Sequence, residues 1–243
     1  MKILHIITSL LDGGAEGVLH RLCCHDKMNE HLVVSLRDQG KYGILLSKHG
    51  IKIYTLNMEP GKFSIFAMYK LIKILRNEKA NIVQTWLYHA DFFGGVAARL
   101  AGENNLIWNV RHSDFNKDYT KKSLLILVKV LAKLSYFLPK KIIFCSKSSI
   151  KLHTKIGYQR CKMEYVPNGY DIEKFRPSPL KKSIFRKKID MNNRITLLGC
   201  VARFHPQKDH KNLLHALNIL KKNKTSFKCI LVGFGINKKN KIL

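Results

Sequence analysis

The sequence predicts an α/β fold in which a mainly parallel sheet carries helices on both faces. Short apolar runs of strand length alternate with longer segments of helical periodicity through roughly the first 165 residues, and this alternation is typical of doubly wound parallel sheets. A glycine loop follows the first apolar run, so the chain opens with a strand, a loop and a helix. With 243 residues, 46% of them hydrophobic, the chain can bury one large core or two smaller ones.

The predicted elements follow one another as strand and helix in turn. Strands are predicted at 2–8, 31–36, 51–56, 81–85, 106–110 and 141–145. Helices are predicted at 15–25, 43–49, 63–78, 90–101, 121–137 and 147–157. Ligands of such sheets bind beyond the carboxyl ends of the strands, so the residues after each strand are the candidates for function.

The first such segment holds the glycine pair Gly13 and Gly14. It lacks the GxGxxG dinucleotide fingerprint, which disfavours a nicotinamide enzyme. Glycine lets the backbone approach a ligand where a side chain would block it. The alternative is a glycine turn that serves only to reverse the chain.

Two further strand ends carry polar or aromatic clusters, residues 86–91 (WLYHAD) and 111–113 (RHS). For His89 and His112, a role in a cleft competes with a role in helix capping or packing. Ser146, after the strand at 141–145, is predicted to be a helix N-cap rather than a ligand.

A second strand, turn and helix begins late in the chain. The apolar run 195–202 predicts a strand covered on both faces. Asp209 is placed to cap a helix over 209–222, whose apolar stripe is Leu213, Leu214, Leu217 and Leu220. A further strand is predicted at 227–232.

Arg203 and Lys208 flank the turn before that helix. A helix N-terminus offers free N–H groups and a partial positive charge, and the two cations would add to it, which predicts a pocket for a diphosphate. The alternative is a solvated arginine and lysine beside an ordinary turn.

Residues 199–214 closely resemble the donor-diphosphate loop of family-4 glycosyltransferases. The GGAE turn at 13–16, the clusters at 86–91 and 111–113, and the PNGYD phrase at 167–171 resemble other segments of that family. The resemblance implies a GT-B-like fold, in which two Rossmann-like domains face each other across a cleft. It implies a first, acceptor-side domain over 1–166, a hinge over 167–179, and a partial nucleotide-sugar-binding domain over 180–243. Gly233 resembles the family's next glycine turn and is expected to bind the donor.

The resemblance also implies a reaction. Members transfer a hexose from a UDP- or GDP-sugar to a lipid-linked or polysaccharide acceptor, with retention and with no metal or cofactor beyond the donor. Arg203 and Lys208 would hold the diphosphate, and His112 would contact the transferred sugar. Gly13 and Gly14 would let the first domain close on donor or acceptor.

The sequence departs from the family's pattern in its second domain. The family carries there a glutamate–x7–glutamate pair that binds the donor sugar and the ribose, whereas no glutamate follows Glu173 here. We therefore expect a truncated enzyme (a gene fragment, a frameshifted product or half of a split enzyme) that is impaired or inactive as it stands.

Net charge supports a competing hypothesis. Lysine and arginine exceed acidic residues by 28, which favours anionic partners, so a noncatalytic basic module for anionic lipid or nucleic acid is the alternative. No nucleic-acid-binding motif is present, so no specific nucleic acid is expected. A basic amphipathic helix within 121–141 predicts contact with an anionic membrane, a core helix with a lysine edge being the alternative.

Cysteine and histidine usage completes the expectations. The six cysteines form no CxxC, which favours free thiols in a reducing cytosol, and the opening residues do not form a secretory signal. We thus expect a cytoplasmic protein, peripheral at most on the inner face of the plasma membrane. The eleven histidines show no metal-ligand spacing with cysteine or aspartate, so no metal site is predicted.

Overall fold

The computed structural model describes residues 1–115, 120–192, 195–237 and 239–240. The chain divides into two compact units, Met1–Gly169 and Tyr170–Leu243, each of which is described by itself. The last three residues of the predicted second domain, 241–243, lie outside the described ranges.

The first unit is built on a seven-stranded sheet in which every neighbouring pair is parallel. Its strands are β1 (Lys2–Ile7), β2 (Glu30–Ser35), β3 (Lys52–Thr55), β4 (Ile82–Trp86), β5 (Leu106–Val110), β6 (Lys141–Phe144) and β7 (Met163–Tyr165). They lie in the order β3-β2-β1-β4-β5-β6-β7. The predicted fold class is confirmed, and the chain reverses its direction of winding between β1 and β4.

Helices cover both faces of this sheet. They are α1 (Gly14–His25), α2 (Gly40–Lys48), α3 (Ile65–Glu78), α4 (Tyr88–Ala101), α5 (Lys122–Leu134) and α6 (Lys147–Ile156). Alternate residues of β1 point to opposite faces, so Ile7 packs with Leu19 of α1 and Leu46 of α2, whereas Leu4 and Ile6 belong to the core beneath α3, α4 and α5. Two cores thus share one sheet, as a doubly wound fold requires.

Local signals set most boundaries of these helices. Ser146 caps α6 as predicted, because its Oγ accepts a hydrogen bond of 3.1 Å from the Ser149 N–H. Strand β7 was not predicted, because it has three residues and two of them are exposed. Helix α2 begins three residues before its predicted start, at Gly40.

The second unit contains α7 (Pro179–Lys188), β8 (Thr196–Val201), α8 (His210–Lys222) and β9 (Phe227–Val232). Strands β8 and β9 pair in parallel. The predicted helix at 209–222 and both strands are present, and the leucines of the predicted stripe are the half-covered residues of α8. Helix α7 was not predicted, although Ser178 caps it and Pro179 occupies its first turn.

One expectation for β8 is wrong. The strand is not covered on both faces: none of its residues is buried, and Val201 is 85% exposed. Within the described part of the second unit the sheet has two strands, so an apolar run that reads as a central strand has little to pack against.

Candidate functional site

Three segments meet the carboxyl edge of the first unit's sheet around its point of reversal. Residues 8–13 follow β1, residues 87–88 follow β4, and residues 111–113 follow β5, and these strands are neighbours in the sheet. In open parallel sheets this crevice is where ligands bind. Gly13, Gly14 and His112 therefore lie on one edge, as predicted from the sequence.

Packing within the protein explains why position 13 is a glycine. It is the N-cap of α1, and a Cβ placed there would lie 2.3 Å from Oε2 of Glu16. Glu16 is buried, 3.4 Å from the Ser9 hydroxyl, and burial raises the pKa of its carboxyl group. A side chain at position 13 would displace this carboxyl group from the N-terminus of α1.

Gly14 differs from its neighbour. A Cβ at this position would meet nothing within 4 Å, and the residue is exposed. The fold therefore gives no steric reason for glycine at position 14. Close approach of a ligand remains the predicted reason.

Helix α2 holds the glycine loop in place. The Tyr42 N–H donates a hydrogen bond of 2.8 Å to the Leu10 carbonyl. Gly40 makes this contact geometrically feasible, because its φ is +52° and a Cβ there would lie 2.5 Å from the same carbonyl oxygen. Sequence reasoning missed Gly40, since nothing local shows that residue 10 lies against it.

The turn after β4 is strained at Leu87. Its φ of 73° and ψ of 153° lie in a region that is open almost only to glycine. Just before it, the Trp86 indole donates a hydrogen bond of 3.2 Å to His5 Nδ1. The strained residue thus follows a side chain that is fixed in the core.

A buried chain of rings continues from that contact. His5 and His31 join ring nitrogens at 3.0 Å, and His31 Nε2 lies 3.2 Å from a carboxylate oxygen of Asp26. Burial lowers the pKa of His5 to about 3, so its ring is neutral and can accept from Trp86. This network fixes the position of Trp86 from below the sheet edge.

Arg111 stacks its guanidinium group on the indole ring of Trp86. Its guanidinium carbon is 4.8 Å from the centre of the indole ring, and its Nη1 donates a hydrogen bond to Asn168 Oδ1. Burial lowers the pKa of Arg111 from its ordinary value, although the group remains a cation. The arginine thereby joins the end of β5 to the PNG segment that closes the first unit.

His112 lies half-buried among aromatic side chains. Its ring stacks on Phe115 at 5.4 Å and is tilted against Tyr88 at 5.8 Å, and its carbonyl accepts a hydrogen bond from the Ser149 hydroxyl. Burial lowers the pKa of the imidazole, with Asp114 opposing the shift. These contacts give the ring packing partners and leave its role toward a sugar a prediction.

The second unit contains the turn that carries Arg203 and Lys208. Both side chains are exposed, and within the described residues neither forms an ion pair with a carboxylate. Asp209 caps α8 as predicted, because its carboxylate accepts a hydrogen bond of 3.3 Å from the Asn212 N–H. Both cations thus have exposed side chains in the segment before α8, and their convergence on one ligand stays a prediction.

Gly233 follows β9 and touches the same turn. A Cβ there would lie 2.0 Å from the Ala202 carbonyl oxygen, so only glycine fits. Beside it the Phe204 N–H donates a hydrogen bond of 2.7 Å to the Phe234 carbonyl. This bond continues the pairing of β8 and β9 past the ends of the two strands. Gly233 thus positions the segment that holds Arg203, and a contact with the donor stays a prediction.

Three histidine and cysteine side chains lie closer together than their spacing along the chain predicts. His20, Cys24 and His49 bring one potential ligand atom each within 4.8 Å of the others, so the expectation of no such grouping is wrong. Spacing along the chain missed it because His49 comes from the end of α2. All six cysteines are free thiols, as expected, and Cys161 is exposed.

Comparison with known protein families identifies the chain. The sequence model of Glycosyltransferase Family 4 matches residues 12–174, more than half of the chain. This protein belongs to Glycosyltransferase Family 4. The match covers the glycine pair Gly13 and Gly14, the strand ends around Trp86 and Arg111, and the PNG segment.

Two curated relatives of this family-4 chain are bacterial. The chain is 29% identical over 147 residues to the Escherichia coli UDP-Gal:alpha-D-GlcNAc-diphosphoundecaprenol alpha-1,3-galactosyltransferase, covering 60% of the chain and 37% of that protein. It is 25% identical over 242 residues to the putative glycosyltransferase EpsF of Bacillus subtilis strain 168, covering 96% of the chain and 62% of EpsF. The chain thus spans less than two thirds of the length of these relatives.

A solved structure shares the fold of this family-4 chain. The crystal structure of Anabaena Alr3699/HepE in complex with UDP-glucose superposes with a TM-score of 0.78 at 22% identity, over 98% of this chain and 62% of that one. At this identity the likeness shows the fold alone. The GT-B-like fold class expected from the sequence is therefore confirmed.

Proposed function

We propose that this protein is a hexosyltransferase, or part of one, that takes a hexose from a UDP- or GDP-sugar and transfers it with retention to a lipid-linked or polysaccharide acceptor. The observation that carries the proposal is the sheet edge of the first unit, where residues 13–14, 86–88 and 111–112 gather within the segment matched to the family. The names of the E. coli relative and of the HepE complex, which contain UDP-galactose and UDP-glucose, support a nucleotide-sugar donor.

Arg203 and Lys208 would act on the diphosphate. When the anomeric bond breaks, negative charge develops on the departing nucleotide diphosphate, and fixed cations stabilise that charge most in the transition state. An arginine fork can grip two phosphate oxygens, and a lysine adds a point charge. The N-terminus of α8 would add its partial charge.

The first unit would bind the remaining groups. Gly14, with open space where a side chain would be, would let a ligand reach the backbone at the start of α1. His112 would contact the transferred sugar from the end of β5. The exposed glycine and the half-buried imidazole support these roles on the same sheet edge.

The 243-residue chain by itself would transfer little or no sugar. Sugar and ribose hydroxyls need acceptors, which glutamates supply in the family, and no glutamate follows Glu173. A misplacement of about 1 Å at the reacting carbon costs on the order of a hundredfold in rate. The chain should therefore still bind the diphosphate even though it transfers little sugar.

Contact with an anionic membrane belongs to the same proposal, because lipid-linked acceptors lie at a bilayer surface on the cytoplasmic side. The solvent face of α5 supports it, since Ile126 is 64% exposed beside Lys129 and Lys133, and Phe137 just beyond the helix is 77% exposed. Among the described residues, helices fall short of the length and apolarity that crossing a bilayer requires.

Titration calorimetry tests donor binding. UDP-glucose, UDP-galactose and GDP-mannose would be titrated into the full chain at low and high salt, with a DNA duplex as comparator. We expect saturable binding of at least one nucleotide sugar that Arg203→Ala and Lys208→Ala weaken and Lys211→Ala, a nearby exposed lysine on α8, does not. Salt-sensitive DNA binding without nucleotide-sugar binding would instead favour the basic module.

Product formation would be followed separately, with undecaprenyl-diphosphate sugars as acceptors. Robust turnover by the 243-residue chain alone would contradict the proposed impairment while supporting the transferase activity.

A further inference from the structure

We propose that His20, Cys24 and His49 form a binding site for a divalent transition-metal ion, with Zn²⁺ as the expected occupant. One potential ligand atom from each residue lies within 4.8 Å of the other two. Imidazole and thiolate are ligands that zinc prefers, whereas hard cations prefer oxygen. The site is independent of the proposed sugar transfer.

Two packed helices, α1 and α2, carry the three proposed ligands. His20 and Cys24 are four residues apart on α1 and so share one face of the helix. His49 is the C-cap of α2, and its ring meets the His20 ring edge-on at 5.6 Å. Tyr42 of α2 also tilts against His20 at 5.6 Å, which fixes the ring between the helices.

The spacing fits tetrahedral coordination. His20 Nε2 lies 3.6 Å from Cys24 Sγ. In a tetrahedral zinc site, bond lengths of about 2.0 and 2.3 Å place a nitrogen and a sulfur ligand about 3.5 Å apart. These two ligand atoms therefore need little movement to close on an ion.

His49 makes a backbone hydrogen bond of the kind that metal-ligating histidines commonly make. Its Nδ1–H donates a hydrogen bond of 2.9 Å to the Leu45 carbonyl, which leaves Nε2 with its lone pair. Because His49 is exposed, water can complete the coordination.

A second trio shows by contrast what a non-binding group looks like. His5, Cys23 and His31 also lie close together, and all three are buried. Their ring nitrogens are committed to Trp86, to each other and to Asp26. A metal there would have to break this network, so we assign no ion to it.

The test is a Zn²⁺ titration of the untagged full chain, with Co²⁺ as a spectroscopic probe. We expect one ion per chain, thiolate-to-Co²⁺ charge-transfer absorption, and a higher melting temperature with Zn²⁺. Cys24→Ser and His49→Ala should each weaken binding by on the order of a hundredfold, at the upper end of the loss seen when even an outer-shell partner is removed. The charge-transfer absorption should disappear with Cys24→Ser.

His25→Ala is the matched control. His25 lies on the same helix, and its Nδ1 also bonds a backbone carbonyl, that of Arg21, at 2.9 Å. The proposal requires it to leave affinity unchanged. Because His49 is exposed, its substitution should not disturb folding and decides the matter even if Cys24→Ser misfolds. Unchanged Zn²⁺ affinity in folded His49→Ala, or absorption that persists in Cys24→Ser and vanishes in Cys161→Ser, would overturn the site.

Discussion

The guanidinium of Arg111 lies over the indole ring of Trp86, with 4.8 Å between the guanidinium carbon and the ring centre. The same group bonds Asn168 in the segment that closes the first unit. One arginine thus ties together the ends of β4 and β5 and the last residues of the unit. The contact is partly desolvated, which strengthens a cation–π interaction.

Arg111→Lys should therefore lower the free energy of unfolding by about 1–3 kcal/mol, since lysine keeps the charge but loses the planar stacking and the fork. Urea denaturation followed by tryptophan fluorescence measures it. Arg76→Lys is the control, because Arg76 is exposed and bonds the Leu100 carbonyl. Equal losses in both variants would mean that the stacking contributes nothing particular.

Arg203 and Lys208 should respond differently to exchange of the cation. Arg203→Lys should weaken UDP-sugar binding about tenfold, because it removes a bidentate fork, whereas Lys208→Arg should preserve it. In a full-length relative, Arg203→Ala should lower turnover by about two to three powers of ten, as for loss of one oxyanion donor. Calorimetry and initial rates measure the two effects, and identical affinities across all variants would exclude a diphosphate site at this turn.

Asp91 should make stability fall as pH rises. It is fully buried, its carboxylate accepts a hydrogen bond of 2.6 Å from Thr85, and burial raises its pKa to about 7. The unfolded carboxyl titrates near 4. Between about pH 4 and 7 the folded state binds the extra proton, so this residue makes the unfolding free energy decrease with pH, by up to about 4 kcal/mol.

The measurement is the difference between wild type and Asp91→Asn in urea titrations from pH 4 to 8. This difference isolates Asp91 from buried histidines such as His5, whose lowered pKa acts with the opposite sign. The variant should gain relative stability as pH rises. A difference that does not vary with pH would show that Asp91 is ionised throughout.

The α5 surface should bind anionic vesicles. Flotation with phosphatidylglycerol-containing liposomes should recover the protein at low salt and less at high salt, since the attraction is screened. Lys129→Glu with Lys133→Glu should abolish flotation. Lys221→Glu with Lys222→Glu makes the same charge change at the end of α8 and should not. Binding that ignores both lipid charge and the α5 lysines would contradict the electrostatic part.

The periodicity of apolar residues was enough to predict those strands and helices that are long and buried against other elements. The β1–α1 and β5 predictions hold because these apolar runs are buried in the sheet. It failed for β7, which is too short, and for α7, whose few apolar residues face solvent. The apolar run of β8 also led to the wrong prediction that both faces of this strand are buried. Apolar composition shows that a strand could be buried, but it does not show that other elements pack on it.

The candidate site was predictable in part for similar reasons. The strand-end rule placed residues 13–14 and 111–113 on one edge from local sequence alone. The tie between Arg111 and Asn168 joins residues 57 positions apart, so no local pattern could reveal it. The same holds for Gly40, whose need for glycine is created by Leu10. Nor did the sequence indicate the group of His20, Cys24 and His49, since His49 comes from the end of α2.

The conformation of Leu87 sets backbone strain against the stiffness of the turn at one residue. A backbone held where almost only glycine is at ease costs on the order of 1–3 kcal/mol, and the surrounding contacts of Trp86 and α4 must offset that cost. Glycine at this position would relieve the strain, less the about 1 kcal/mol of entropy that a glycine loses on folding. It would also free the turn to sample other shapes at the sheet edge. Leucine is thus the stiffer choice at this turn.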